Sequence, residues 1–275
     1  MFDLHLHSHH SDGTWSPQEL VEHAVKIGMK HIALTDHDTV SGIDEALAAA
    51  RGRVQIIPAI ELNTVFCDGS GASHDVHILG YFIDRKNSDL LATIDLQKQA
   101  RAAHVLDCIK LVASAGVEIT VESVQECAGQ GAIGKAHLTE AIVRAGGAPD
   151  LTSAYEKFMV RGSAFYAPRH SISPYDAVEA IRKAGGLASI AHPGKEDHVV
   201  PLIESLHEAG LAGIEAYHRV HSPVLVDRYL QMAAHRNMIV TGGSDCHGPY
   251  EEYASMMGSI VMPEEILKGL SLSRV

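Results

Sequence analysis

The sequence predicts an α/β fold, a parallel sheet with helices on its outside, either open or closed into a barrel. Three observations predict it. Short β-branched runs alternate with amphipathic stretches from the first residue onward, which is the rhythm of consecutive strand–helix units. Three amphipathic stretches open with the same pair, Ser16-Pro17, Ser173-Pro174 and Ser222-Pro223. Serine there accepts from the free N–H groups of a first helical turn, and proline at the next position loses nothing by lacking its own. The composition is that of a globular chain, 46% hydrophobic and 20% charged over 275 residues, enough for one large domain or one domain with an insertion.

In chain order, the strand readings are Phe2–His7, His31–Thr35, Val54–Ile60, Val76–Ile83, Leu187–Ala191, Gly213–Tyr217, Ile239–Gly242 and Gly258–Met262, each short and rich in apolar or β-branched residues. Helices are expected at Pro17–Met29, where Ser16 and Glu19 form a capping box, and at Ser41–Ala50, Pro174–Ala184, Val199–Ala209 and Pro223–Arg236. The alternation breaks between about Lys86 and Gly162, where Leu90–Ala115, Val121–Gln130, His137–Ala145 and Leu151–Lys157 read as helical with no convincing strand among them. The expected organisation is therefore a body made of residues 1–85 and 163–275, with residues 86–162 a helical insertion folded over one face and capping the site.

Charge and cysteine usage narrow the function classes. The chain carries 34 acidic against 22 basic residues, a net charge of −12, which argues against a basic groove for long duplex nucleic acid. No apolar run approaches the roughly 20 residues of a membrane helix. Met1-Phe2-Asp3-Leu4-His5 lacks the basic and apolar regions of a signal peptide. Cys67, Cys108, Cys127 and Cys246 are scattered without a C-x-x-C pair and read as reduced thiols in a cytoplasmic protein. The abnormal number is 19 histidines, which in an acidic chain points to bound divalent cations.

The histidines fall in a pattern. His5 and His7 alternate with Leu4 and Leu6, so on a strand both imidazoles share one face. Asp12 follows in the loop Ser11-Asp12-Gly13, from which its carboxylate can turn back to the same mouth. Thr35-Asp36-His37-Asp38 comes straight after the next apolar strand, and Glu61 closes Ile56-Ile57-Pro58-Ala59-Ile60. A glutamate ending an apolar strand either caps it in solvent or serves as a ligand. His77 sits among apolar residues, where a satisfied core histidine is the plainer reading, and His192 follows Ile190-Ala191. Asp245 and His247 lie in the glycine-rich Gly242-Gly243-Ser244-Asp245-Cys246-His247-Gly248. Each alone has a bland explanation. Together, nearly all fall at the C-terminal ends of expected strands, where α/β folds place their sites. Six imidazoles and three carboxylates suit two or three divalent ions, and such ions would attract phosphate to an acidic chain.

At these residues the chain resembles a known family. H-L-H-S-H-H-S-D-G, T-D-H-D, the strand-end Glu61, H-I-L-G, I-A-H-P and G-S-D-C-H-G are similar, in order, to the motifs of the PHP (polymerase and histidinol phosphatase) metallophosphoesterases. The resemblance implies a distorted (β/α)7 TIM-like barrel and a trinuclear centre, often of manganese, with zinc or iron as alternatives. Carried over, it implies one ion on His5, His7, Glu61 and Asp245, a second on the shared Glu61 with His77 and His192, and a third on Asp12, His37 and His247. Gly134-Lys135-Ala136-His137 and Tyr217-His218-x-x-His221 look most like a branch that removes the 3′-phosphate of nucleoside 3′,5′-bisphosphates or trims short 5′-phosphorylated RNA. Lys135 stands where that branch leads one to expect arginine, which keeps the charge but loses the planar fork.

The implied reaction is phosphoester hydrolysis by a metal-bound hydroxide, with no protein nucleophile. Lys135, His137, Arg169 and His170 are candidates for binding a second phosphate, and His218 for donating a proton to the leaving group. Asp36 and Asp38 are read as orienting ligands or closing their turn. A histidinol-phosphate-type phosphatase is a further alternative. An amidohydrolase barrel also begins with H-x-H, but no lysine stands at a strand end for carboxylation. A non-catalytic metal or nucleotide-binding module would lack part of the ligand set, and none is missing.

Overall fold

The computed structural model describes residues 1–129, 133–160, 162–168, 171–196, 198–248 and 257–272. Seven strands form one sheet in chain order: β1 (Phe2–Leu6), β2 (His31–Leu34), β3 (Gln55–Cys67), β4 (Ser73–Tyr81), β5 (Leu187–Ile190), β6 (Gly213–His218) and β7 (Ile239–Gly243). The sheet curls until its ends meet. Leu6 bridges Cys246 in parallel, and Asp245 N–H and His7 N–H donate to the His5 and Cys246 carbonyls at 3.0 Å each. A Cβ on Gly243 would lie 2.4 Å from His5 Cβ, so glycine is what lets β7 close on β1.

Around the barrel run α1 (Pro17–Lys26), α2 (Ile43–Ala50), α7 (Pro174–Lys183), α8 (Val199–Glu208) and α9 (Pro223–Arg236). The Ser-Pro starts are N-caps as expected. Ser16 and Glu19 form a capping box, Ser173 and Asp176 form another, and Ser222 accepts from Leu225 N–H. Strand alternation does the rest: Leu6 packs on Leu20 and Val21 of α1, while His5 and His7 turn inward.

Two readings of the sheet need correction. The strands are not all parallel, because β4 runs antiparallel to both β3 and β5. Only the short turn from Asp68 to Ala72 joins β3 to β4, with Asp68 Oδ1 accepting from Ser70 and Ala72 N–H at 2.9 and 3.0 Å. A connection that short can join only antiparallel strands. Residues 258–262 form no strand, since β1 and β7 already close the barrel; Gly258 turns at φ +79° and its N–H donates to buried Asp3 at 3.2 Å. A last helix, α10 (Glu265–Leu272), follows instead and packs Ile266 and Leu270 beneath Phe2 and Leu4.

Between β4 and α7 lie α3 (Ser88–Ser114), α4 (Val121–Ala128), α5 (Lys135–Arg144) and α6 (Leu151–Ala154), the last running into a π turn at Tyr155–Met159. These helices have a core of their own around Cys108, Val112, Val124, Leu138, Ile142 and Phe158, which reaches Tyr166 and Ala167. Gln97 of α3 ties them to the barrel. Its amide N–H groups donate to the Asn63 carbonyl and to Asp38, and its Oε1 accepts from Ser171 Oγ at 2.9 Å and Ile172 N–H at 3.2 Å. Among the described residues, no helix is long and apolar enough to cross a membrane.

Candidate metal centre

One end of the barrel gathers all nine side chains singled out as ligands. His5 and Glu61 stand on β1 and β3; His7, His37 and His192 lie just beyond β1, β2 and β5; Asp12 reaches in from its loop; Asp245 and His247 follow β7. His77 arrives differently, from the middle of antiparallel β4, where it pairs with Asn63 two residues beyond Glu61. The long β3–β4 ribbon thus brings an imidazole to Glu61 from mid-strand, where a parallel strand would present one at its end.

Glu61 is the hub. Its Oε2 lies 3.2 Å from His5 Nε2, 3.2 Å from His7 Nε2 and 3.0 Å from His37 Nδ1. Its Oε1 lies 2.9 Å from His77 Nδ1 and 3.2 Å from His192 Nε2. Asp245 Oδ1 approaches His5 and His7 at 3.5 and 3.2 Å, and Asp12 Oδ1 approaches His247 Nε2 at 3.3 Å. The rings crowd one another: His7 is 4.5 Å from His37 and 4.3 Å from His247, centroid to centroid. His192 and Asp245 hold the left-handed region at φ +25° and +56°, strain that tends to collect at functional sites.

The electrostatics are those of a centre built for cations. Burial alone would raise the Glu61 carboxyl, but the His37, His5 and His77 imidazoles hold it well below the usual carboxylate range. Asp245, beside His5, His218 and His7, and Asp12, beside His37 and His247, are held down in the same way against burial. Burial opposes a charge on His7, yet Asp245 and Glu61 outweigh it and raise its pKa to about 10. Even so, neither His7 ring nitrogen, nor Asp12 Oδ1, nor His37 Nδ1 makes a well-formed hydrogen bond in this buried setting. Imidazole nitrogens and carboxylate oxygens that converge without satisfying one another fit divalent ions. His7, Asp12, His37 and His247 offer donors within 4.8 Å of one another, as do His5, His7 and Asp245, and His5, Glu61 and His192.

Sequence reasoning missed Glu215. This β6 residue is wholly buried; its Oε1 accepts from His5 Nδ1–H at 2.9 Å and its Oε2 from His192 N–H at 2.7 Å. It fixes the ring that aims Nε2 at the cluster and pins the strained His192 backbone. A lone acid in the apolar run Gly213-Ile214-Glu215-Ala216 was the available signal. Asp36 holds the loop after β1, accepting from Ser8 N–H, Ser8 Oγ and Ser11 Oγ at 2.6, 2.7 and 2.8 Å. Asp38 instead accepts from Asn63 N–H at 2.9 Å and pairs with Arg101 of α3.

A cavity of about 360 Å³ opens from the centre toward the inserted helices. Asp12, His37, His77 and His192 line its floor; Arg101, Lys135, Val105, Ile133, Leu138 and Tyr155 are among those lining the rest. Lys135 Nζ sits 3.0 Å from Asp75 Oδ2 and 4.8 Å from the centroid of the Tyr166 ring. His137 does not line the cavity; its Nδ1 accepts from Gly134 N–H at 3.0 Å and caps α5. His218 is buried beside the centre, its Nδ1 accepting from Val220 N–H at 3.4 Å and its Nε2 3.6 Å from Asp245 Oδ2. Arg169 and His170 lie outside the described residues.

The chain as a whole is similar to known proteins. The PHP domain matches residues 3–253. A 3′,5′-nucleoside bisphosphate phosphatase from Chromobacterium violaceum is 33% identical over 90% of this chain and 88% of its own. The 5′-3′ exoribonuclease Rnm of Salmonella typhimurium is 29% identical over 90% of this chain and 86% of its own. A solved Bifidobacterium adolescentis protein, taken to be a metal-dependent phosphoesterase, superposes with a TM-score of 0.86 at 28% identity, covering 99% of this chain and 96% of that one.

Proposed function

This chain belongs to the PHP domain family of metal-dependent phosphoester hydrolases, and on that premise we propose that it removes the 3′-phosphate from nucleoside 3′,5′-bisphosphates. The observation that carries the reading is the cavity: a volume of about 360 Å³, with the ligand cluster at one end and Lys135, Arg101 and apolar side chains at the other. That is small for a ligand site, where roughly 300–1,000 Å³ is usual. It suits one nucleotide better than a long chain. The C. violaceum relative, a phosphatase for such bisphosphates, supports the same substrate.

The donor set fits three divalent ions, Mn²⁺ first, with Zn²⁺ or Fe²⁺ also suited to imidazole and carboxylate. His5, His7, Glu61 and Asp245 would hold one, Glu61 with His77 and His192 a second, and Asp12, His37 and His247 a third. Ions held there would supply positive charge for phosphoryl oxygens and lower the pKa of a bound water at neutral pH. The protein does the rest. Glu215 keeps His5 Nδ1 protonated, which leaves Nε2 free as a ligand atom. His218 accepts at Nδ1, which leaves Nε2, the atom facing Asp245, as the nitrogen that would pass a proton to the leaving oxygen. Lys135 meets the second phosphate by exchanging Asp75 for it. The insertion closes over the substrate as a cap. Four free cysteines fit a reducing, cytoplasmic setting.

Mass spectrometry of products after incubating Mn²⁺-loaded protein with adenosine 3′,5′-bisphosphate tests this. The expected products are phosphate and 5′-AMP. Intact substrate with ions bound would overturn the assignment and direct attention to short 5′-phosphorylated RNA.

A further inference from the structure

A second cluster of imidazole and carboxylate lies outside the centre and takes no part in the reaction described above. His9 and His10 follow Ser8 in the loop after β1, and Glu45 stands in the first turn of α2. One donor atom from each lies within 4.8 Å of the other two. His10 Nε2 is 3.4 Å from Glu45 Oε2, and the His9 and His10 rings are 4.7 Å apart. Two ligand atoms on one tetrahedral ion, each about 2.0–2.1 Å from it, stand roughly 3.3 Å from one another. The His10–Glu45 spacing is therefore already that of a shared ion.

The frame behind these side chains is fixed. Asp36 accepts from Ser8 and Ser11 and so pins both ends of the short loop. His9 N–H donates to the Trp15 carbonyl at 2.8 Å, and His10 N–H donates to Ser8 Oγ at 3.2 Å. The His10 ring lies over Gly42, where a Cβ would come to 3.0 Å from His10 Cδ2. Both histidines are half-buried, and none of the three residues lines the substrate cavity. A rigid loop presents two imidazoles to a carboxylate on a neighbouring helix, so little order remains to be imposed when a cation arrives.

We propose that His9, His10 and Glu45 form an auxiliary site for one borderline divalent cation, Zn²⁺ in preference to Mn²⁺. Two imidazoles and one carboxylate favour the later first-row metals. Three protein ligands leave a fourth position to water.

Equilibrium dialysis against micromolar Zn²⁺, with bound metal counted by mass spectrometry, reads the site directly. His10→Ala and Glu45→Gln are each expected to bind one ion fewer than the wild type. Their phosphate release in Mn²⁺ stays within twofold of it. Equal counts in the wild type and both variants would overturn the proposal and reduce the His10–Glu45 contact to a surface ion pair. Loss of more than one ion, or of turnover in Mn²⁺, would also overturn it, by making these residues part of the main centre.

Discussion

Glu61 is wholly buried and faces five imidazoles, those of His5, His7, His37, His77 and His192. Without ions, protonated histidines must supply the positive charge, and this gives a pH signature. The His7 pKa of about 10 lies above the ordinary 6.5, so its stabilising contribution is complete below pH 6.5 and is lost as pH rises towards 10. The melting temperature of chelator-stripped protein should therefore fall over that window; a flat or rising profile would contradict the charge assignment. Glu215→Gln should loosen metal binding by about 10–100-fold, the usual cost of removing a group that orients a ligand, measurable by competition with a metallochromic dye. Lys135→Ala should lower kcat/KM for adenosine 3′,5′-bisphosphate by about 10–100-fold, the value of a charge-assisted hydrogen bond. With 3′-AMP, which lacks the second phosphate, the change should be small. Eight of the nine side chains that meet at the barrel mouth were legible because histidine and acid at or just past strand ends are abnormal in any sequence, whereas His77, inside β4, read more plainly as a core residue. Glu215 was not, because one acid inside an apolar run carries no periodic signal.

Elements were legible where the chemistry is local. The serine–proline helix starts are decided within four residues, and the sequence reads them directly. Strand direction is not local. Nothing in Val76–Ile83 says which way it runs; the Asp68 turn decides that, and with it the placing of His77. The outer half of β3, through Cys67, pairs with β4 along a ribbon that a purely apolar reading stops short of. The insertion's attachment was also hidden, since a buried amide, that of Gln97, carries much of it alongside the Arg101–Asp38 and Lys135–Asp75 pairs. Gln97→Ala would strip partners from Asn63, Asp38, Ser171 and Ile172, at a cost of about 1–3 kcal/mol. Chemical denaturation should register that loss, and an unchanged midpoint would mean that the helices are held by packing alone.

At the scale of the molecule, an acidic chain of net charge −12 needs concentrated positive charge at the barrel mouth if it is to take the proposed doubly phosphorylated substrate. Alternating strands and helices made the α/β class legible. Closure into a barrel depends on contacts between the first strand and residues more than 230 positions away, which no local pattern encodes. The ions are the central claim, and one titration tests it most directly. Protein stripped by chelation should release no phosphate from adenosine 3′,5′-bisphosphate, and activity should climb with added Mn²⁺ to a plateau at three equivalents bound in the main centre. Full activity in stripped protein, or saturation of turnover with no Mn²⁺ bound, would contradict the account.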